Sequence, residues 1–203
     1  MRLENIFPIP FVQDNIDVEI IDNTITKVNA FLLERDFCNP PAPRELLTTF
    51  YDDKNFLGNI GAVDLLKLIN FKTREFFKVI GWDSDCFVEI TSWLQYNQPG
   101  SYFVRHDHYG AILSGVVYLQ TPVNGGDILF HTPLEQRRVT NAFFERIKKE
   151  ENDYNNSHIK ISPAKGDILM FEPWLQHTVQ ENKSTEARIS VGFNIWADSD
   201  GKR

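Results

Sequence analysis

A mainly β fold, two sheets buttressed by N-terminal helices, is the architecture this chain predicts. Two amphipathic helical patterns lie before residue 87, and from Phe87 to Trp196 they give way to short apolar or alternating runs divided by turn-forming clusters. Helices followed by many short strands is the order expected when helices cover a layered β structure. The composition allows it: 203 residues, 42% hydrophobic and 13% aromatic with 16 Phe, supply a sizeable core. A mass of 23.5 kDa fits one domain. The chain is therefore read as a single domain over 1–203, with 1–86 as helical support and strands. The β core is placed at 87–197, carrying a charged insert at about 134–157.

Taken in order, Phe7-Pro8-Ile9-Pro10 reads as extended, because a residue before proline is pushed out of the helical region. Asp17 to Ile21 reads as a short strand. Asp22 and Asn23 carry cap-forming side chains ahead of a helix through Ile25, Val28, Phe31 and Leu32. Asn39-Pro40-Pro41-Ala42-Pro43 breaks regular structure. Leu46 to Tyr51 reads as a strand and Asp52-Asp53-Lys54-Asn55 as a turn. A second helix is predicted from about Ala62 to Ile80, with Val63, Leu66, Ile69, Phe76, Phe77 and Ile80 on its apolar face and Gly81 ending it. Neither helix has convergent polar groups, so both read as supports for a sheet.

Beyond Phe87, Val88, Ile90, Ser92 and Leu94 alternate with Glu89, Thr91, Trp93 and Gln95 up to Pro99-Gly100. Tyr102 to His108 and Ile112 to Gln120 continue the strands, Asn124 to Asp127 turns, and Ile128-Leu129-Phe130 begins the next. The segment Glu145 to Asp153 is a charge run whose plain reading is a solvated surface; its place between core strands also makes it a candidate lid. Ile159 to Ile161, Ile168 to Phe171 and Arg188 to Trp196 complete the strands.

A net charge of -7 disfavours general binding to nucleic-acid phosphates. Cys38 and Cys86 have no CxxC spacing and read as reduced thiols of a cytoplasmic protein. The first residues lack the basic-then-apolar pattern of a signal peptide, and no apolar run approaches the ~18 residues of a membrane span.

Chemistry concentrates in Arg105-His106-Asp107-His108. Residues two apart on a strand share a face, so His106 and His108 can present two imidazoles together. His177, from a distant strand, would make three ligands and leave positions open, as catalytic metal sites do. By itself such a pair reads first as exposed residues at a strand end, and His131 and His158 read as surface or loop residues. Arg188 and Ser190 add weight. They share a face of a strand otherwise built of Ile189, Val191, Phe193 and Ile195, and a buried guanidinium demands an anion. Arginine binds a carboxylate through two parallel hydrogen bonds.

With these residues in view, the sequence resembles the Fe(II)/2-oxoglutarate-dependent dioxygenases, whose usual pattern is His-x-Asp/Glu, a distal His, then Arg-x-Ser. Flanking pieces are similar to the prolyl-hydroxylase-like branch: Tyr96 and Pro99-Gly100, Tyr118-Leu119, Gly125 to Phe130, and Pro163 to Phe171. Ser114 to Leu119 with Phe193-Asn194 looks closest to a bacterial and phage subgroup of unassigned substrate. The resemblance covers roughly Glu89 to Trp196. It implies a double-stranded β-helix, the cupin-like jelly roll, and a hydroxylase using Fe(II), 2-oxoglutarate and O2, with succinate and CO2 as products. It also implies His106, His108 and His177 as metal ligands, with Arg188 and Ser190 on the far carboxylate of 2-oxoglutarate. Tyr96 or Tyr118 would add a phenol there, although either also reads as a core aromatic. The departure is His108, standing where the family places a carboxylate. Asp107 is the alternative ligand, but alternation puts it on the opposite face from His106.

Two other readings share these residues: a three-histidine cupin-like metalloenzyme without 2-oxoglutarate, and a catalytically silent metal- or 2-oxoglutarate-binding protein. The first has no use for Arg188-x-Ser190. For the primary substrate, a peptide residue such as proline fits the nearest-looking branch, with small molecules also open and nucleic acid disfavoured. Trp174 reads as wall packing that could also touch substrate. Oligomeric state is not readable.

Overall fold

The computed structural model describes residues 8–34, 47–133, 146–152 and 154–197. In chain order these form β1 (Phe11–Asn15), α1 (Val18–Glu34), β2 (Leu47–Thr48), α2 (Phe56–Asn59), α3 (Val63–Ile80), β3 (Val88–Asn97), β4 (Phe103–His106), β5 (Leu113–Gln120), β6 (Ile128–His131), β7 (His158–Ile161), β8 (Asp167–Phe171), β9 (His177–Val179) and β10 (Arg188–Ala197). Two sheets result, one in the order β1-β8-β5-β10-β3-β2 and the other β4-β9-β6-β7. All strand pairs within them are antiparallel.

Strand alternation divides the larger sheet into two chemistries. Along β10, Ile189, Val191, Phe193 and Ile195 join the core beneath the helices, together with Leu94, Val117, Ile168 and Met170 from neighbouring strands. The helices contribute Ile21, Val28, Leu65, Ile69 and Phe77 to that core. Each such fully buried side chain contributes roughly 1.5–3 kcal/mol. The opposite residues of the sheet face the smaller sheet, where Val116, Tyr118, Leu169 and Phe171 meet Ile128 and Phe130 in a second cluster. Two hydrophobic layers thus hold the large sheet from both sides, and the polar residues of its inner face are left to build a site.

Helix α3 follows its pattern, and Gly81 ends it in the left-handed conformation (φ 79°), donating to the carbonyls of Phe77 and Lys78. The entry to α1 differs from expectation. Asp17 to Ile21 is not a strand: the strand lies earlier, at Phe11–Asn15, and the helix begins at Val18. Asp17 is the capping side chain, its Oδ1 accepting from the Glu19 amide at 2.8 Å, which leaves Asp22 and Asn23 inside the helix. β1 is anchored by pairing with β8 and by an ion pair from Asp14 to Lys72 of α3. The strand expected over Leu46 to Tyr51 shrinks to Leu47–Thr48, because the amides of Asp52 and Asp53 turn back to the Thr49 carbonyl.

His131 and His158 lie opposite one another on β6 and β7 rather than in loops, and His158 is exposed as a surface residue. Cys86 is a free, half-buried thiol. Cys38, the Pro40 to Pro43 breaker and residues 134–145 of the charged insert lie outside the described residues. In the described part of the insert Lys148 pairs with Glu151 at 2.9 Å. Among the described residues no helix is long and apolar enough to cross a membrane.

Candidate metal and co-substrate site

The smaller sheet places two of the three histidines. β4 pairs with β9 so that His106 stands opposite His177, and β6 sets Phe130 on the other side of His177. The His106 and His177 ring centroids are 4.2 Å apart. His108 arrives differently from the strand argument, because β4 ends at His106. The chain bends there, the His108 amide donates to the Pro173 carbonyl at 2.8 Å, and the ring returns to within 5.2 Å of His177. It stacks on Trp93 from the larger sheet (5.7 Å, 27°). Trp93 has room because Gly192 is its register partner on β10; a Cβ at Gly192 would lie 2.5 Å from the indole.

The ligating atoms of His106, His108 and His177 all lie within 4.8 Å of one another, so the three could hold a metal ion. Their protonation suits that role. His106 Nδ1 is 2.9 Å from the Val104 carbonyl and His177 Nδ1 is 3.1 Å from the Leu175 carbonyl. A carbonyl only accepts, so each Nδ1 bears the proton and each Nε2 keeps its lone pair for a metal. His177 Nε2 lies 3.4 Å from His108 Nε2. Burial lowers the pKa of His106, takes His108 from 6.5 to about 4, and takes His177 well below 6.5; repulsion among the imidazoliums adds to the effect at His108 and His177. Neutral imidazole is the ligating form. Asp107 is exposed, with its carboxylate accepting from Gln176 Nε2 at 3.2 Å, and it falls outside the cluster.

On the inner face of the larger sheet, at the start of β10, Arg188 is only 2% exposed. One Nη donates to the Gly126 carbonyl at 2.8 Å, and its Cζ lies 6.0 Å from the centre of the Tyr118 ring. Burial lowers the guanidinium's pKa, with Tyr118 and Asp127 pulling the other way. Asp127 itself pairs with Lys160 at 3.4 Å. The Tyr118 phenol is pushed up to about 12 by burial, so it stays protonated and able to donate. Ser190 stands opposite Tyr118 on β5 and donates to Gln95 Oε1 at 3.1 Å. Tyr96 is not brought to the site. It is the register partner of Ile189 and packs with the helix-side core, because parity along β3 sends it to the other face.

A cleft of about 380 Å³ opens in front of His106 and His108, lined among others by Phe50, Tyr51, Lys54, Tyr109 and Trp196. Trp174 faces a different, largely apolar cavity. Trp93, Gln95 and Asn194, whose Oδ1 accepts from Ser114 at 2.8 Å, are inner-face residues that sequence reasoning did not select. The signal was the alternation of Thr91, Trp93 and Gln95, which names a face without saying which face looks inward.

Fold and site together define a two-sheet β protein in which three histidines could hold a metal ion and a buried arginine stands on the larger sheet. The family model described as "Putative 2OG-Fe(II) oxygenase" matches residues 91–194, and the chain belongs to that family. No curated protein sequence matches. Among solved structures, the chain is similar to a prolyl-4-hydroxylase of Pseudomonas putida (12% identity, 94% of this chain and 94% of that one, TM-score 0.62). It is also similar to SnoN, a non-heme alpha-ketoglutarate-dependent epimerase of nogalamycin biosynthesis (10%, 93% and 79%, TM-score 0.63). A third similar structure is HygX of Streptomyces hygroscopicus with nickel and 2-oxoglutarate bound (11%, 94% and 84%, TM-score 0.58). At these identities the likeness is one of fold, the double-stranded β-helix of 2-oxoglutarate oxygenases.

Proposed function

We propose that this oxygenase is a hydroxylase whose Fe(II) is held by His106, His108 and His177 and whose 2-oxoglutarate is anchored at Arg188. The observation that carries the reading is the pairing of two unmet demands between the two sheets: three neutral imidazoles with converging nitrogens, two of them on the smaller sheet, and on β10 of the larger sheet a buried guanidinium with no carboxylate partner among the described residues. A buried charge is stable only when an anion meets it, and a carboxylate of the co-substrate would supply that anion to Arg188. Three imidazoles alone suit several divalent metals; family membership supports iron.

When bound, Fe(II), 2-oxoglutarate and O2 supply the oxidising chemistry, with succinate and CO2 as co-products. The chain's own residues orient and shield. Val104 and Leu175 fix two imidazoles by holding their Nδ1 protons. Trp93 backs the third. Tyr118 stays protonated beside Arg188 and can donate to the same carboxylate. Ser190 lines the subsite through Gln95.

The aromatic lining of the cleft supports a substrate with a compact, weakly polar group at the reacting carbon, and a peptidyl residue such as proline fits that description. The test supplies Fe(II), 2-oxoglutarate, ascorbate and O2 and measures succinate. Turnover that rises with proline-containing peptides is the expected result. Absence of both 2-oxoglutarate binding and uncoupled succinate formation would sink the proposal, whereas binding without turnover would make the chain a silent relative.

A further inference from the structure

We infer that Asn97 is a ligand of the co-substrate: its side-chain amide, with Arg188, receives the far carboxylate of 2-oxoglutarate. This rests on the reading above that Arg188 anchors that acid.

Asn97 is the last residue of β3 and the antiparallel register partner of Arg188, the first residue of β10. Directly opposed residues share a face, with Cβ atoms ~4.5–5.5 Å apart. The face is the inner one, because the next inner pair, Gln95 and Ser190, is joined by a hydrogen bond across the same two strands. Asn97 is 1% exposed, and among the described residues neither its Nδ2 nor its Oδ1 has a hydrogen-bond partner; Arg188 Nε lacks one there as well. The Asn97 main chain is engaged, its carbonyl accepting from Asn182 Nδ2 at 2.9 Å. Only the side chain is left over.

Buried side-chain amides are nearly always bonded, and an exception needs a reason. Here two exceptions face each other, one a cation and one an amide with two N–H donors. A ligand that satisfies both must bring acceptors and negative charge, and a carboxylate supplies about four lone-pair positions. Ser190 is less suited to this duty, because its only proton goes to Gln95. Its role is to hold Gln95 while Asn97 donates.

The experiment uses the full chain in two measurements: melting of the metal-free protein, and calorimetric titration of 2-oxoglutarate into the zinc-loaded protein. An amide without a protein partner contributes nothing to the free fold. Asn97→Ala should therefore leave the metal-free melting temperature unchanged or raised, while weakening 2-oxoglutarate about 10- to 100-fold. Asn97→Asp should melt higher, because its carboxylate pairs with Arg188, and should bind 2-oxoglutarate more weakly than Asn97→Ala does. Asn97→Ser provides a second small variant should Asn97→Ala not fold. Unchanged affinity in the folded variants, with wild type binding normally, overturns the assignment of Asn97 alone. A lowered melting temperature with unchanged affinity does the same by making Asn97 structural. Wild-type protein that does not bind 2-oxoglutarate overturns this inference together with the reading on which it rests.

Discussion

Single residues decide which atoms converge at the candidate metal site. His108 and Asp107 are neighbours, yet one ring lies in the cluster and the other side chain lies outside against Gln176. His108→Ala should lower Fe(II) affinity by at least the ~10–100-fold that loss of an outer-sphere partner costs, read by anaerobic Fe(II) titration. Asp107→Ala, a surface change, should stay within about 0.5 kcal/mol of wild type. The reverse ranking would make Asp107 the ligand. Arg188→Ala removes a buried charge-assisted contact worth about 2–5 kcal/mol; the 2-oxoglutarate concentration for half-maximal succinate formation should rise at least ~30-fold. An unchanged dependence would remove Arg188 from the site. These side chains were legible in the sequence because their chemistry is unusual where they stand: imidazoles two apart, and a cation in an apolar strand.

At the scale of elements, β10 does two jobs by parity. Its odd-numbered residues pack beneath the helices, and its even-numbered residues carry Arg188, Ser190 and Asn194 toward the smaller sheet. Gly192 belongs to the second set and exists for Trp93. A methyl there meets the rigid indole at 2.5 Å, so Gly192→Ala should cost about 1–3 kcal/mol by overpacking and displace the ring against which His108 stacks. Reduced thermal stability together with weakened metal binding is the expected signature, and a loss of stability alone would separate Trp93 from the site. On the helix side, Phe77→Ala should cost about 3–5 kcal/mol in chemical denaturation while leaving metal affinity of the folded fraction intact. The misplacement of Asp17 belongs to this scale too. Asp17 and Asp22 carry the same capping side chain, and local chemistry alone does not choose between them. The pairing of Phe11–Asn15 with β8 consumes the chain just before Asp17 and makes it the cap.

For the whole molecule, the imidazoles link stability to pH. A folded-state pKa of about 4 at His108, below the ordinary 6.5, means that the unfolded chain takes up a proton the fold refuses. Stability of the metal-free protein should therefore fall as pH drops from about 6.5 toward about 4 and lose little more from this group below that. His106 and His177 are shifted in the same direction and deepen the loss. Metal bound to the folded state only, at 100 times its dissociation constant, adds ~2.7 kcal/mol, or roughly 5–10 °C in a domain of this size. That rise should be present at neutral pH and vanish as protons displace the metal in acid, which melting curves with and without divalent metal would record. A metal-free stability flat between pH 6.5 and 4 would contradict the burial of the cluster.

What the sequence by itself determined is the inventory and the layer plan: two helices covering a β structure, three histidines, an arginine in an apolar strand, and the family pattern that joins them. Those are properties of residue type and spacing, and spacing survives in one dimension. Only tertiary structure decided which face of each strand looks inward. That choice sent Tyr96 to the helix side and set Tyr118, Trp93, Gln95 and Asn97 on the inner face, because register between β3, β10 and β5 is set by long-range pairing. The same holds for His108. Strand alternation set His108 beside His106 for an incomplete reason, since β4 stops at His106 and the His108 amide is held by the Pro173 carbonyl, some 65 residues away in the chain.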